Sequence, residues 1–225
     1  MAYTIQKDQN HDNAPIQLSF SGAQVQVCAA RLSALRAHFY EHDWVRLPCL
    51  LEEPLLQRIV GLIQAESFLE VSHEDMRDDT ELRLNDCAGE RALELVHNNS
   101  QLFRLVEEVA QCDHIGSFLG RTYRFERGSG HQYRWHTDVA DSRLVGLSLN
   151  LSTERYQGGD LHIRKCGRPN SEQRVENTVL GDALIFRIAE DTEHRVAPVV
   201  STQPKTAFAG WFCAHPEFDD RLLKL

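Results

Sequence analysis

The sequence lacks the features that mark membrane, secreted and nucleic-acid-binding proteins. No uninterrupted apolar run approaches the length of a membrane span, and the polar first residues have no apolar core of a secretory signal. The formal net charge of −9 argues against a duplex nucleic-acid partner, because such proteins usually carry a basic patch. We therefore expect a cytoplasmic protein with no membrane and no nucleic-acid partner.

The cysteines do not follow a spacing typical of disulfide-rich or zinc-binding proteins. The six cysteines are irregularly spaced and no C-x-x-C occurs, which argues against a disulfide scaffold or a structural zinc site. Several lie among apolar neighbours, as Cys49 does in Leu47-Pro48-Cys49-Leu50-Leu51. We expect buried free thiols in a reducing compartment.

Length and composition predict one globular domain. The chain has 225 residues, of which 42% are apolar and 25% charged, and these values are ordinary for a single folded unit. We expect residues 1–225 to form one domain, with residues 1–119 as a mostly helical support region. Residues 120–213 would then form a β-rich core.

The first half of the chain shows helical periodicity. Leu32, Leu35 and Phe39 predict an amphipathic helix from Ala29 to His42. Pro54 starts another helix, and Asn98-Asn99-Ser100 supplies the capping chemistry for a further one. The segment Ser72 to Asp86 is charged and has no period, so we expect a surface loop or flap there.

From Gly120 onward the pattern changes to short strands separated by turns. Glu126-Arg127-Gly128-Ser129-Gly130 and Gln157-Gly158-Gly159-Asp160 are typical turns. The strands are expected at about Arg121–Phe125, Gln132–His136, Arg143–Leu151, Leu161–Lys165, Val175–Leu180, Ala183–Arg187, His194–Val199 and Thr206–Cys213. This series predicts a mainly β, jelly-roll fold with N-terminal helices packed outside one sheet.

Three residues in this β region form a candidate metal site. His136 and Asp138 stand two positions apart at the end of a predicted strand, so strand alternation would direct them to one side. His194 lies 56 positions past Asp138 in another β-rich stretch. Two imidazoles and one carboxylate are the ligand set of non-haem iron(II) oxygenases, which keeps coordination positions open. A second H-x-D triplet, His73-Glu74-Asp75, lacks a preceding strand and is interpreted as a chance copy.

The order of motifs resembles a known family. Tyr133-x-x-His136-x-Asp138 is followed by Gly158-Gly159-Asp160-Leu161, by Gly181-Asp182-Ala183-Leu184-Ile185-Phe186, by His194-Arg195-Val196-Ala197-Pro198-Val199, and by Lys205 with Gly210-Trp211-Phe212. From Tyr123 to Phe212 the sequence is similar to the 2-oxoglutarate- and iron(II)-dependent dioxygenases, especially their prolyl-4-hydroxylase-like branch. The resemblance implies a double-stranded β-helix (cupin-like jelly roll) and iron bound by His136, Asp138 and His194.

The same resemblance implies 2-oxoglutarate and O2 as cosubstrates and a cation for the far carboxylate of 2-oxoglutarate. Lys205, eleven residues after His194, is the expected cation, although the family's usual spacing is about one residue shorter. Arg195 is the rival, but strand alternation should point it away from the metal. Thr206 could add a hydroxyl donor, Tyr123 or Tyr133 could hold the cosubstrate, and Asn150 could hydrogen-bond near it.

The resemblance also implies an oxidoreductase that hydroxylates an unactivated C–H bond with release of succinate and CO2. Asp138 favours hydroxylation over halogenation, because halogenating relatives carry a small residue at that position. The substrate would be a small molecule, an amino acid, or a peptidyl or carrier-bound group, and the oligomeric state stays open. Two alternatives remain: a cupin-like metalloenzyme that uses the triad without 2-oxoglutarate, and a non-catalytic binding barrel.

Overall fold

The computed structural model describes residues 14–73, 79–140 and 142–215. This part of the chain contains four α-helices and thirteen β-strands. The helices are α1 (Ala29–His42), α2 (Glu53–Gln64), α3 (Ala88–His97) and α4 (Ser100–Ala110). The strands before the last helix are β1 (Ile16–Ser19), β2 (Gly22–Val25), β3 (Trp44–Leu47), β4 (Phe68–His73) and β5 (Asp79–Leu84). Those after it are β6 (Ser117–Phe125), β7 (Tyr133–His136), β8 (Arg143–Asn150), β9 (Leu161–Lys165), β10 (Gln173–Val175), β11 (Ala183–Arg187), β12 (Thr192–Val196) and β13 (Lys205–Cys213).

Two antiparallel sheets form the barrel. The major sheet has seven strands in the order β3-β11-β8-β13-β6-β5-β4, and the minor sheet has four in the order β10-β9-β12-β7. Strands β1 and β2 form a separate hairpin. Neighbouring strands are distant in sequence, as β13 is from β6, which is the connectivity of a double-stranded β-helix. The expected fold class, mainly β with flanking N-terminal helices, is confirmed.

Strand alternation divides the apolar residues into two clusters. Along β8, Val145, Leu147 and Leu149 face the helices and pack with residues of α2, α3 and α4. The second cluster lies between the two sheets and includes Tyr123 and Phe186 of the major sheet and Val196 of the minor sheet. The helices therefore cover the outer face of the major sheet, and its inner face is left to line a cavity.

The observed helices agree closely with those predicted from the sequence. Helix α1 spans Ala29–His42 as predicted, and α4 begins directly after Asn99. The side chain of Asn99 accepts hydrogen bonds from the backbone N–H groups of Gln101 and Leu102, which satisfies two otherwise unpaired donors. The predicted capping at Asn98-Asn99-Ser100 is therefore confirmed.

The secondary structure expected for two segments was wrong. Instead of one loop from Ser72 to Asp86, β4 and β5 pair as antiparallel strands at the edge of the major sheet, on either side of residues 74–78, which lie outside the described ranges. The inward residues of β5 include buried Asp79 and Glu81, so no apolar alternation marks the strand. The strand expected at Val175–Leu180 also differs, because β10 ends at Val175 and residues 176–180 form no strand.

Candidate metal centre and cavity

His136, Asp138 and His194 converge in space. The Nε2 atom of His136 lies 3.6 Å from Asp138 Oδ1, and His194 Nε2 lies 3.3 Å from Asp138 Oδ2. One ligand atom from each residue falls within 4.8 Å of the other two, and the imidazole ring centroids are 4.3 Å apart. These three residues could together hold one metal ion.

The pairing of β7 with β12 brings the two histidines together. His194 is directly opposite His136, and Val196 is opposite Tyr133. Three steps along β7 thus match two steps along β12, which is a β-bulge. Without the extra residue, Tyr133 and His136 would face opposite sides of the strand. The bulge allows both side chains to point into the barrel.

A hydrogen bond from another strand, and not strand alternation, positions Asp138. Strand β7 ends at His136, and Asp138 follows it in irregular backbone. The indole Nε1–H of Trp211, on β13, donates a hydrogen bond of 2.7 Å to Asp138 Oδ2. The expectation that Asp138 projects from the same strand as His136 was therefore wrong in its geometry, although the two side chains do meet.

Electrostatics prepare the three residues to bind a cation. Nδ1 of His136 donates to the carbonyl oxygen of Arg134 at 2.6 Å, which leaves the Nε2 lone pair on the side of Asp138. Burial, and then the nearby His194, lower the pKa of His136, which favours the neutral imidazole that a metal needs. Burial would raise the pKa of Asp138, but the hydrogen bond from His194 and the two imidazoles hold it well below its usual value.

The three residues line a cavity of about 800 Å³ between the two sheets. Leu161, Phe186 and Val196 supply apolar walls, and the Phe186 ring centroid lies 4.7 Å from that of His194. Charged residues lie at both ends. Lys205 is only 4% exposed, whereas the side chains of Arg83, Arg121 and Arg143 are 37%, 25% and 26% exposed. Lys205 therefore marks the closed end, and the arginines mark the mouth.

Comparison with known proteins relates this site to a family. Residues 120–213 match the family model described as the 2OG-Fe(II) oxygenase superfamily. This segment is therefore similar to the 2OG-Fe(II) oxygenases. The resemblance found in the sequence is thereby confirmed, and so is the cofactor set that the superfamily uses: iron(II), 2-oxoglutarate and O2. A search of curated protein sequences returned no match.

Solved structures share the fold of the 2OG-Fe(II) oxygenases with this chain. An oxidoreductase of this family from Burkholderia pseudomallei is 17% identical with a TM-score of 0.62, covering 88% of this chain and 96% of that one. A Trichoplax adhaerens prolyl hydroxylase, solved with a hypoxia inducible factor peptide fragment, is 16% identical with a TM-score of 0.59, covering 86% and 92%. The epimerase SnoN, solved with Fe3+, alpha ketoglutarate and nogalamycin RO, is 13% identical with a TM-score of 0.58, covering 81% and 83%.

The donor set fits the superfamily's metal. Two imidazole nitrogens and one carboxylate approach from one side, which is the ligand type and number that iron(II) takes while coordination positions remain open. The apolar walls around them fit a site from which water is excluded. The metal-binding roles of His136, Asp138 and His194 stay predictions that this geometry supports.

Lys205 suits an anionic cosubstrate. Its Nζ donates to the carbonyl oxygen of Gly159 at 2.7 Å, and within the described ranges no carboxylate lies within salt-bridge distance of it. Burial lowers the pKa of Lys205 to about 8, with a smaller opposing effect of Asp160. A buried ammonium group without a paired carboxylate is costly, and a bound carboxylate would compensate for that cost.

The two candidate tyrosines have different surroundings. Tyr123 is buried, hydrogen-bonds to Ser148, and its ring centroid is 5.6 Å from Lys205 Nζ, so it lies at the closed end. Tyr133 donates its hydroxyl to Glu81 through a short hydrogen bond and also contacts Arg121. Both line the cavity, but only Tyr123 lies beside Lys205.

Asn150 and Thr206 are not among the residues that line the cavity. Asn150 is buried, and its Oδ1 accepts a hydrogen bond from the Ser152 N–H. Thr206 follows Lys205 on β13, so its side chain points to the opposite face, where its hydroxyl accepts from Arg124 Nε at 3.1 Å. The structure therefore does not bring either residue to the metal centre, and their cosubstrate roles stay predictions without support from this placement.

The alternative cation, Arg195, does not line the cavity, and the second H-x-D triplet lies only partly within the described residues. Arg195 stacks on Trp135 with its Cζ 4.9 Å from the ring centroid and pairs with Glu172, outside the cavity. His73 ends β4, so the expectation that no strand precedes the second H-x-D triplet was wrong. Glu74 and Asp75 of that triplet lie outside the described residues.

Sequence reasoning missed the charged residues at the mouth. Arg83 comes from β5, which was expected to be a loop, and it shares the buried carboxylate of Glu81 with Arg121. Trp211 and Arg143 complete the rim beside Asp138. The available signal was the two-residue spacing of Asp79 and Glu81, but it indicates a strand only if charged residues are allowed to face inward.

Proposed function

We propose that the protein is an Fe(II)- and 2-oxoglutarate-dependent dioxygenase that hydroxylates an unactivated C–H bond, with release of succinate and CO2. One observation carries the proposal: a two-histidine, one-aspartate cluster and the buried cation Lys205 line the same cavity. The metal ligands and the cosubstrate anchor of such an enzyme must lie together in this way. We further propose that residues 1–225 act as one cytoplasmic domain.

Each residue has a defined task in this proposal. His136, Asp138 and His194 would hold iron(II), a ligand set that leaves coordination positions for the cosubstrates. Lys205 binds the far carboxylate of 2-oxoglutarate, and Tyr123 packs beside that carboxylate. When bound, iron(II) with 2-oxoglutarate and O2 supplies the oxidising power for C–H hydroxylation. Leu161, Phe186 and Val196 exclude water from the reacting group.

The test is anaerobic addition of iron(II) and then 2-oxoglutarate to the purified protein. We expect a weak visible metal-to-ligand charge-transfer band, which requires both groups to bind at one centre. Its absence in folded, iron-loaded protein would contradict the proposal. The variants His136→Ala and Asp138→Ala should lose both the band and succinate formation, whereas His73→Ala should keep both.

Lys205→Ala separates the proposal from a cupin-like enzyme that does not use 2-oxoglutarate. The variant should still bind iron(II), because Lys205 is not among the three metal-binding candidates. It should lose affinity for 2-oxoglutarate. Unchanged 2-oxoglutarate binding in this variant would show that another group anchors the cosubstrate.

A further inference from the structure

The mouth of the cavity carries more positive charge than the proposed function needs. Arg83, Arg121 and Arg143 line it together, whereas the protein as a whole has a net charge of −9. A 2-oxoglutarate-dependent enzyme needs one cation for the cosubstrate, and Lys205 at the closed end is available for that task. Binding of the cosubstrate therefore does not account for the three arginines at the mouth.

Nearby carboxylates neutralise only part of this charge. Glu81 accepts from Arg83 Nη2 at 2.7 Å and from Arg121 Nε at 3.1 Å, so one carboxylate serves two guanidinium groups. Among the described residues that line the cavity, Asp138 is the acidic one, and the proposed function assigns it to the metal. Iron(II) and the dianion 2-oxoglutarate have equal and opposite charges. Binding both would therefore leave the excess positive charge at the mouth unchanged. A positive potential would remain over the open end.

Arg143 is the arginine that is free to bind a ligand. Its guanidinium Cζ lies 3.6 Å from the Trp211 ring centroid, and this stacking fixes the plane of the group. Within the described ranges its side chain makes no hydrogen bond, its Nε–H is buried without an acceptor, and its closest acid is Asp138 Oδ1 at 3.8 Å from Nη1. A fixed, partly exposed guanidinium with unused donors matches the two oxygens of a carboxylate or phosphate.

The position of Arg143 limits the distance between the bound anionic group and the carbon that faces the metal. Because Nη1 is 3.8 Å from Asp138 Oδ1, an oxyanion on Arg143 would lie beside the metal centre. The C–H bond that faces the metal would then be only a few bonds away from the anionic group. A small acid satisfies this distance, whereas an internal residue of a peptide satisfies it only if its own side chain is acidic or phosphorylated.

We propose that the primary substrate is a small molecule with a carboxylate or phosphate group, which Arg143 binds at the mouth with Arg121 beside it. The inference rests on the proposed dioxygenase function, because it places this substrate next to the metal and 2-oxoglutarate. It narrows the earlier range of substrates to small acids.

The experiment uses anaerobic protein loaded with iron(II) and saturating 2-oxoglutarate. The charge-transfer band is recorded first, and its absence would count against the proposed function and not against Arg143. With the band present, matched probes are titrated and followed by ligand-observed NMR. The probes are hexanoate and hexanamide, N-acetyl-L-leucine and its carboxamide, and phenyl phosphate and phenol. The phosphate pair tells which oxyanion the site prefers.

We expect at least one acid to bind about tenfold more tightly than its neutral partner, as a charge-assisted hydrogen bond allows. Arg143→Gln should reduce this preference to less than about threefold without weakening the neutral probe, and Arg143→Lys should restore part of it. Arg91→Gln is the matched control, because Arg91 pairs with Asp86 outside the cavity. Equal binding of acids and neutral partners, no binding of any acid at millimolar concentration, or an unchanged preference in Arg143→Gln would each overturn the proposal.

Discussion

The indole N–H of Trp211 donates a hydrogen bond of 2.7 Å to the carboxylate of Asp138. The two residues are 73 positions apart, and this bond joins the irregular backbone after β7 to the rigid centre of the major sheet. Arg121 and Arg143 both lie near the Trp211 ring, with their Cζ atoms 5.6 and 3.6 Å from its centroid. The orientation of the only carboxylate among the three candidate ligands therefore depends on a tryptophan of another strand.

Trp211→Phe should weaken iron binding while the fold is kept. Phenylalanine retains an aromatic ring for the two arginines but has no N–H to orient Asp138. Loss of such a supporting hydrogen bond typically costs about 10- to 100-fold in metal affinity. Anaerobic competition for iron(II) against a chromogenic chelator measures the change.

Trp44→Phe is the matched control for this substitution. The indole N–H of Trp44 donates to Gln173 at 3.3 Å, and neither residue lines the metal cavity. Its iron affinity should equal that of the wild type. Equal iron affinity of Trp211→Phe and the wild type would show that Asp138 holds its position without the indole.

The affinity for 2-oxoglutarate should fall above about pH 8. Burial lowers the pKa of Lys205 to about 8 in the protein without cosubstrate, and a carboxylate beside the ammonium would raise that pKa again. Below pH 8 the lysine is already protonated, so the affinity should be flat. Above pH 8 binding must take up a proton, and the affinity should decrease by up to about tenfold per pH unit.

Lys205→Arg separates this effect from other high-pH effects on the iron centre. Arginine stays charged throughout the accessible pH range, so any 2-oxoglutarate binding that it supports should lose the decline above pH 8. The measurement is a titration of the charge-transfer band between pH 6.5 and 9.5. The same decline in both proteins would assign the titration to a group other than Lys205.

The sequence predicts the barrel and the candidate ligands because both are indicated by short patterns and by the order of motifs along the chain. Apolar alternation in β8 and the turns around Gly158-Gly159 indicate the core strands, and the spacing of His136, Asp138 and His194 indicates a shared metal. The superfamily match confirms the family and its cofactors. The roles of the single residues remain predictions.

The contacts that shape the mouth could not be predicted because they depend on pairing between distant strands. Glu81 is fully buried, and Arg83, Arg121 and Tyr133 donate hydrogen bonds to it there. A charged segment considered alone resembles a loop. Thr206 was expected at the cosubstrate, but it is adjacent to Lys205 on a regular strand, and adjacent residues face opposite sides.

Gly146→Ala should destabilise the fold near the metal centre. A Cβ atom at Gly146 would lie 2.2 Å from Cζ of Phe186, whose ring packs against His194. Phe186 would have to move within a packed core, at a cost of about 1–3 kcal/mol. Urea denaturation measures the loss. Gly61→Ala in α2 is the control, because a Cβ there meets nothing within 4 Å, and helix propensity predicts a small gain for it.

His97 should make the protein sensitive to mild acid. It is fully buried at the end of α3, where Nδ1 donates to the Leu93 carbonyl oxygen at 2.7 Å and the ring packs against Phe118 and Phe208. Burial lowers its pKa to about 4, so the imidazole stays neutral in the folded state. The unfolded chain takes up this proton near pH 6.5. The stability contributed above pH 6.5 is therefore lost progressively as the pH falls toward 4.

Between pH 7 and pH 5 this single group should lower the free energy of unfolding by about 2 kcal/mol. His97→Leu removes the titration and fills the same apolar site, so its unfolding free energy should fall less over that interval. The comparison is made between the two proteins at each pH by urea denaturation, so that contributions from all other titrating groups cancel. Parallel pH profiles for the variant and the wild type would show that His97 does not control the acid response.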